Sequence, residues 1–152
     1  MISHTEVGTP PWFGGIASMR LQVSTDYAIR ILHFLHANQE GLSTAMTISQ
    51  SIGITYPFFI KIANQLKKKG LLNAVQGRNG GYCLARPGEE ISLYDVFWSI
   101  EGDLILNRCL QDDKFCSRVK PENCGFHSYF QELQDKLIDA LSGKSIADFV
   151  HP

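Results

Sequence analysis

Apolar residues recur every three to four positions through "STDYAIRILHFLHANQEG", where Tyr27, Ala28, Ile31, Leu32 and Leu35 share one face. This predicts a first helix, capped by Ser24 or Thr25 and followed by Gly41. A short helix, "TISQSIGI", is expected to open at Thr47 and close at Gly53. Almost at once "TYPFFIKIANQLKKKG" puts Phe59, Ile62, Ala63 and Leu66 on one side, with Pro57 in its first turn and Gly70 past its last. Two helices joined by a glycine turn make a helix-turn-helix. The period then shortens: apolar runs from Leu71 to Val75 and from Tyr82 to Leu84 flank a turn whose Gly77, Gly80 and Gly81 permit positive φ. That is the pattern of a β-hairpin, or wing.

Helical spacing returns in "SLYDVFWSIEG", capped by Ser92 and able to bury Val96, Phe97 and Ile100. It returns again in "FHSYFQELQDKLIDALSG", striped by Phe126, Phe130, Leu133, Leu137 and Leu141, after which Ser145 is placed to cap a terminal turn, "SIADFV". A long apolar-striped helix outside a compact headpiece needs a partner, so a homodimer is expected. The predicted fold is mainly α with a small β-hairpin wing: a winged helix-turn-helix domain plus a long dimerisation helix. The expected division is 1–18 as a disordered extension, an expression remnant or an upstream start before Met19; 19–103 as the DNA-binding domain; 104–125 as a cysteine-bearing loop; and 126–152 as the dimerisation helix and C-terminal turn.

Composition sharpens this picture in one place. The 152 residues have a net charge of −1 and 44% hydrophobic content, ordinary for a globular domain. Yet between Thr55 and Pro87 stand Lys61, Lys67, Lys68, Lys69, Arg78 and Arg86 with no acidic residue. A basic stripe therefore lies on an acidic body. No apolar run is long enough for a membrane span and no secretory signal is evident, so a cytoplasmic protein without membrane contact is expected. Thiols stay reduced in that compartment, which argues against reading four cysteines as two structural disulfides.

A helix-turn-helix reads double-stranded DNA by laying its second helix in the major groove. Thr55, Tyr56, Lys61 and Asn64 or Gln65 lie opposite the apolar face and are the candidate groove contacts. Arg78 and Asn79, between glycines at the wing tip, suit the narrow minor groove. The Lys67 to Lys69 run is available for phosphates, or simply complements the dipole at the helix end.

"CLQDDKFCSRVKPENCGFH" carries the remaining chemistry. Cys109, Cys116 and Cys124 are too far apart for a zinc knuckle and lack a Cys-x-x-Cys pair, so neither structural zinc nor a thiol enzyme is expected. A metal or iron-sulfur cluster, a redox-sensing thiol set and a purely structural role remain open; His127 could be a fourth ligand. Cys83, on a wing strand, reads as structural.

"MRLQVSTDYAIRIL", "IKIANQLKKKGLL", "VQGRNGGYCLARP" and "ISLYDVFWSIEG", followed by three cysteines and a long helix, resemble the Rrf2 family of winged-helix regulators, which includes IscR-, NsrR-, RirA- and CymR-like proteins. The resemblance spans Met19 to Val150. It implies a homodimeric regulator, more readily a repressor than an activator, acting at palindromic promoter sites. It also implies that Cys109, Cys116 and Cys124 hold a two-iron or four-iron cluster whose state controls DNA affinity. The fourth ligand differs among members: His127 matches one branch, and Asp26, contributed across the dimer, matches another. Some members sense without a cluster, through thiols or protein partners.

Overall fold

The computed structural model describes residues 21–113, 116 and 124–149; the expected extension, 1–18, lies outside them. Five α-helices and one antiparallel hairpin follow the predicted order: α1 Val23–Ala37, α2 Ala45–Ile52, α3 Tyr56–Lys68, β1 Leu72–Val75, β2 Gly81–Leu84, α4 Leu93–Glu101 and α5 Gly125–Ser142. The architecture is a mainly helical winged helix-turn-helix with a long C-terminal helix. Every predicted apolar position of α3 is buried, as are Ala28, Ile31, Leu32 and Leu35 of α1. Together with Ile48, Leu71, Leu72, Ile91 and Val96 they form one core. Phe59 lies at its centre, and the Tyr82 ring meets it edge-on at 5.0 Å, fastening the wing to the recognition helix.

Two helix starts differ from expectation. The helix α1 begins at Val23 after Gln22, whose side chain makes no cap, rather than at Ser24 or Thr25. The cap comes from another helix: the Glu101 carboxylate accepts from the Gln22 backbone N–H at 3.0 Å and from the Thr25 hydroxyl at 2.5 Å. Helix α2 is capped by Thr44, whose hydroxyl accepts from the Thr47 N–H at 3.1 Å, so Thr47 is the recipient of the cap. At α4 the expected Ser92 cap is present as a full capping box with Asp95. Val96 is buried there; Phe97 and Ile100 are half-buried.

The wing pairs Leu72 with Leu84 and Val75 with Gly81. Of its three glycines, Gly77 has a left-handed φ of 116°. Gly80 and Gly81 serve by lacking a side chain: a Cβ on Gly81 would press on the Ser43 carbonyl, whose residue pairs with Tyr82 through N···O distances of 3.0 and 2.8 Å. The linker between α1 and α2 thereby becomes a short third edge of the wing.

After α5 the chain returns to the headpiece. Ile146, buried in the common core, donates its N–H to the Ile91 carbonyl at 2.9 Å, and Leu93 donates to Lys144 at 2.8 Å. Ser145 precedes the terminal turn Ile146–Phe149 but does not cap it with its hydroxyl as expected: its N–H and its hydroxyl both donate to the Asp148 carboxylate, at 2.7 and 3.1 Å. Helix α5 itself packs on α4 and on the turn Arg108–Leu110. Gln134 is its buried residue, and the carboxamide accepts from the Leu106 N–H at 3.0 Å. Its apolar stripe is incompletely covered: Phe126 is 77% exposed and Phe130, Leu133, Leu137 and Leu141 are half-buried, while Tyr129 beside the stripe is 61% exposed.

Candidate nucleic-acid interface and cysteine segment

Thr55 precedes α3 as its N-cap without spending its hydroxyl on the helix. Thr55, Tyr56, Lys61 and Asn64 are all exposed on the face opposite the buried one, while Gln65 is half-buried. The wing places Arg78 and Asn79 at its exposed tip. Recognition helix and wing tip are thus both solvent-facing and basic. Tyr56 also acts on the wing root: burial pushes the Tyr82 phenol above its usual range, and Tyr56 adds to the shift.

The basic stripe is less uniform than its composition. Arg86 is held by Asp95 at 2.9 Å, which ties the wing to the start of α4. Lys69 lies over the Trp98 ring, its ammonium 3.4 Å from the centroid. Lys67 and Lys68 are exposed at the end of α3. The Lys69–Trp98 contact joins residues far apart in the chain, and no local spacing announces it. Glu101 did leave a signal: an acid at a helix C-terminus opposes the helix dipole, so its place there needs a tertiary reason. That reason is the α1 cap.

Of the four cysteines, Cys83, Cys109 and Cys124 are half-buried and Cys116 is exposed. Cys109 sits in the turn Arg108–Leu110 that packs on α5, and Cys124 is the N-cap of α5. Asp113 binds Arg108 through both carboxylate oxygens and pushes its guanidinium up. His127 lies in the first turn of α5, and its Nδ1 is buried without a hydrogen-bond partner. Asp26 is already engaged, 2.8 Å from Arg30 one turn along α1. As donors, three thiols and one orphaned imidazole nitrogen suit a cluster in kind. Among the described residues, however, no three His, Cys, Asp or Glu side chains are gathered as a metal site would require.

The comparisons with known proteins bear on this arrangement. A profile of the family described as "Rrf2: Iron-dependent Transcriptional regulator" matches residues 21–152. The chain belongs to the Rrf2 family. This Rrf2 chain is 35% identical over 133 residues to protein aau3 of Rhizobium meliloti (strain 1021), covering 87% of this chain and 85% of that protein. Its fold is similar to CymR, the global cysteine regulator of B. subtilis, with a TM-score of 0.71 and 17% identity over 86% of this chain and 95% of that one. It is also similar to T. potens IscR, with a TM-score of 0.66 and 22% identity over 88% of each chain. The Rrf2 chain is therefore a transcriptional regulator, not an enzyme. Among the described residues no helix is long and apolar enough to cross a membrane.

Proposed function

We propose that this Rrf2 protein is a cytoplasmic homodimer that represses transcription from palindromic promoter sites, under the control of an iron-sulfur cluster. The observation that carries the reading is the exposed basic surface of α3 and the wing, built from a segment, 55–87, without an acidic residue. Thr55, Tyr56, Lys61 and Asn64 contact the major groove; Arg78 and Asn79 contact the minor groove. Residues 19–103 form the DNA-binding unit, 104–125 the sensor and 126–152 the dimerisation element. The apolar stripe of α5 and the neighbouring open groove of about 730 Å³, lined by Leu104, Ile105, Leu137 and Leu141, receive the partner subunit.

Cys109, Cys116 and Cys124 would hold the cluster, with His127 favoured over Asp26 because His127 has an uncommitted buried nitrogen and Asp26 has Arg30. A bound cluster supplies redox, nitric oxide and iron-dependent chemistry. The chain's own part is mechanical: the turn bearing Cys109 rests on α5 and continues from α4, which packs on α3. A change in the cysteine segment can alter DNA affinity only through a difference between two states of that assembly.

A second reading is thiol control without a cluster. The exposure of Cys116 and the ungathered cysteines favour it. Anaerobic purification separates the two. A coloured protein with bound iron and sulfide, lost in Cys116→Ser, supports the cluster; a colourless, iron-free protein whose affinity responds to oxidant supports thiol control. Substituting Lys61 or Arg78 by Ala should weaken duplex binding by about 1–3 kcal/mol and relax sequence preference at the contacted base pairs. Unchanged affinity in both variants would remove the DNA-contact assignment.

A further inference from the structure

We propose that Trp98 is a positioning residue that links the loop leading to Cys109 with the end of the recognition helix, a role that rests on the DNA-binding reading above. Three observations converge on one side chain. Its ring carries Lys69, the residue that ends α3, with the ammonium 3.4 Å from the ring centroid. Its indole N–H donates to the Asp103 carboxylate at 3.0 Å. Trp98 itself is anchored in the last turn of α4, where its carbonyl accepts from the N–H of Gly102, the C-cap, which has a left-handed φ of 85°.

The charges are ordered to act together. A carboxylate at the N–H edge draws the indole proton toward itself and enriches the π-face on which the ammonium rests. Displacing Asp103 therefore weakens the hold on Lys69 as well as freeing the ring. Lys69 is where α3 stops: its own N–H is shared among the Gln65, Leu66 and Lys67 carbonyls, and Gly70 turns the chain into β1 with a φ of 69°. Moving Lys69 thus changes the end of the groove-reading helix and its junction with the wing. Asp103 is exposed and begins the loop that runs to Cys109, so a rearrangement of the cysteine segment reaches it first. On the other side of the same helical turn, Glu101 holds the start of α1. The end of α4 is a junction between the loop, α1 and α3.

The test is a double-mutant cycle on the full-length protein with a duplex recovered by in vitro selection on the wild type. Asp103→Asn should weaken affinity about threefold when Trp98 is present and have almost no effect in Trp98→Phe, so that the double variant binds like Trp98→Phe alone. Additive effects, or no effect of either single change, would overturn the proposal. Amide exchange supplies a readout that does not depend on Trp98→Phe folding: Asp103→Asn should speed exchange at Lys69 and Gly70 selectively. Uniform or absent acceleration would count against the link. A parallel variant with Cys109, Cys116 and Cys124 changed to Ser tests cysteine control separately; unchanged affinity there sinks that control and leaves the cycle to decide the role of Trp98.

Discussion

Glu101 shows how one side chain can define a helix in another part of the chain. It accepts from the Gln22 N–H and the Thr25 hydroxyl, taking the reciprocal half of a capping box that in α4 is supplied locally by Asp95. Glu101→Ala should destabilise the fold by about 1 kcal/mol, the usual cost of a lost cap, and Glu101→Gln by less because one acceptor remains. Urea unfolding of the three proteins measures this; equal midpoints would refute the tertiary cap. Asp148 offers a pH-dependent counterpart. Its carboxylate accepts from the Ser145 backbone N–H and hydroxyl, which hold it below the usual carboxylate range. The folded value is the lower one, so this stabilisation is present above the ordinary carboxylate pKa and disappears as pH falls through the folded value. Amide exchange at Ser145 should accelerate in that acid window in the wild type and be insensitive to it in Asp148→Asn.

At the scale of elements, periodicity read well because burial follows it. The four apolar positions of α3, the Gly53 and Gly70 stops and the Ser92 cap all stand where spacing puts them. Starts that depend on tertiary contacts did not read. Nothing local distinguishes Thr44 from Thr47 as the cap of α2, and α1 borrows its cap from α4. Glycine type is legible, but its reason is not: Gly77 turns through positive φ, whereas Gly81 makes room for the Ser43 backbone. Helix α5 is the element whose pattern outruns its contacts within one chain. Phe126 and the neighbouring Tyr129 are mostly exposed and the rest of the stripe is half-buried, which is the observation behind the proposed second copy. Leu137→Glu, placing a charge in the groove between α4 and α5, should convert a dimer to a monomer in light scattering and weaken binding to a two-half-site duplex. A dimer of undiminished stability would place the interface elsewhere.

For the molecule as a whole, the basic reading surface was legible because it is contiguous in sequence from Thr55 to Pro87. Its internal commitments were not: Lys69 is taken by Trp98 and Arg86 by Asp95, pairings set only by how α4 packs. The cysteine segment was legible as chemistry, three thiols and a histidine, but spacing does not say whether they converge. Among the described residues no three of them gather, and the Nδ1 of His127 is buried without a hydrogen-bond partner. Helix α4 contacts α1, α3 and α5 alike, and so lies between the headpiece and the helix whose N-cap is Cys124. The most direct measurement is the affinity of the anaerobically purified dimer for a selected duplex, before and after Cys109, Cys116 and Cys124 are changed together to Ser. Control through the cysteine segment predicts a change of about tenfold or more, of the size that separates allosteric states; equal affinity at equal salt would contradict it.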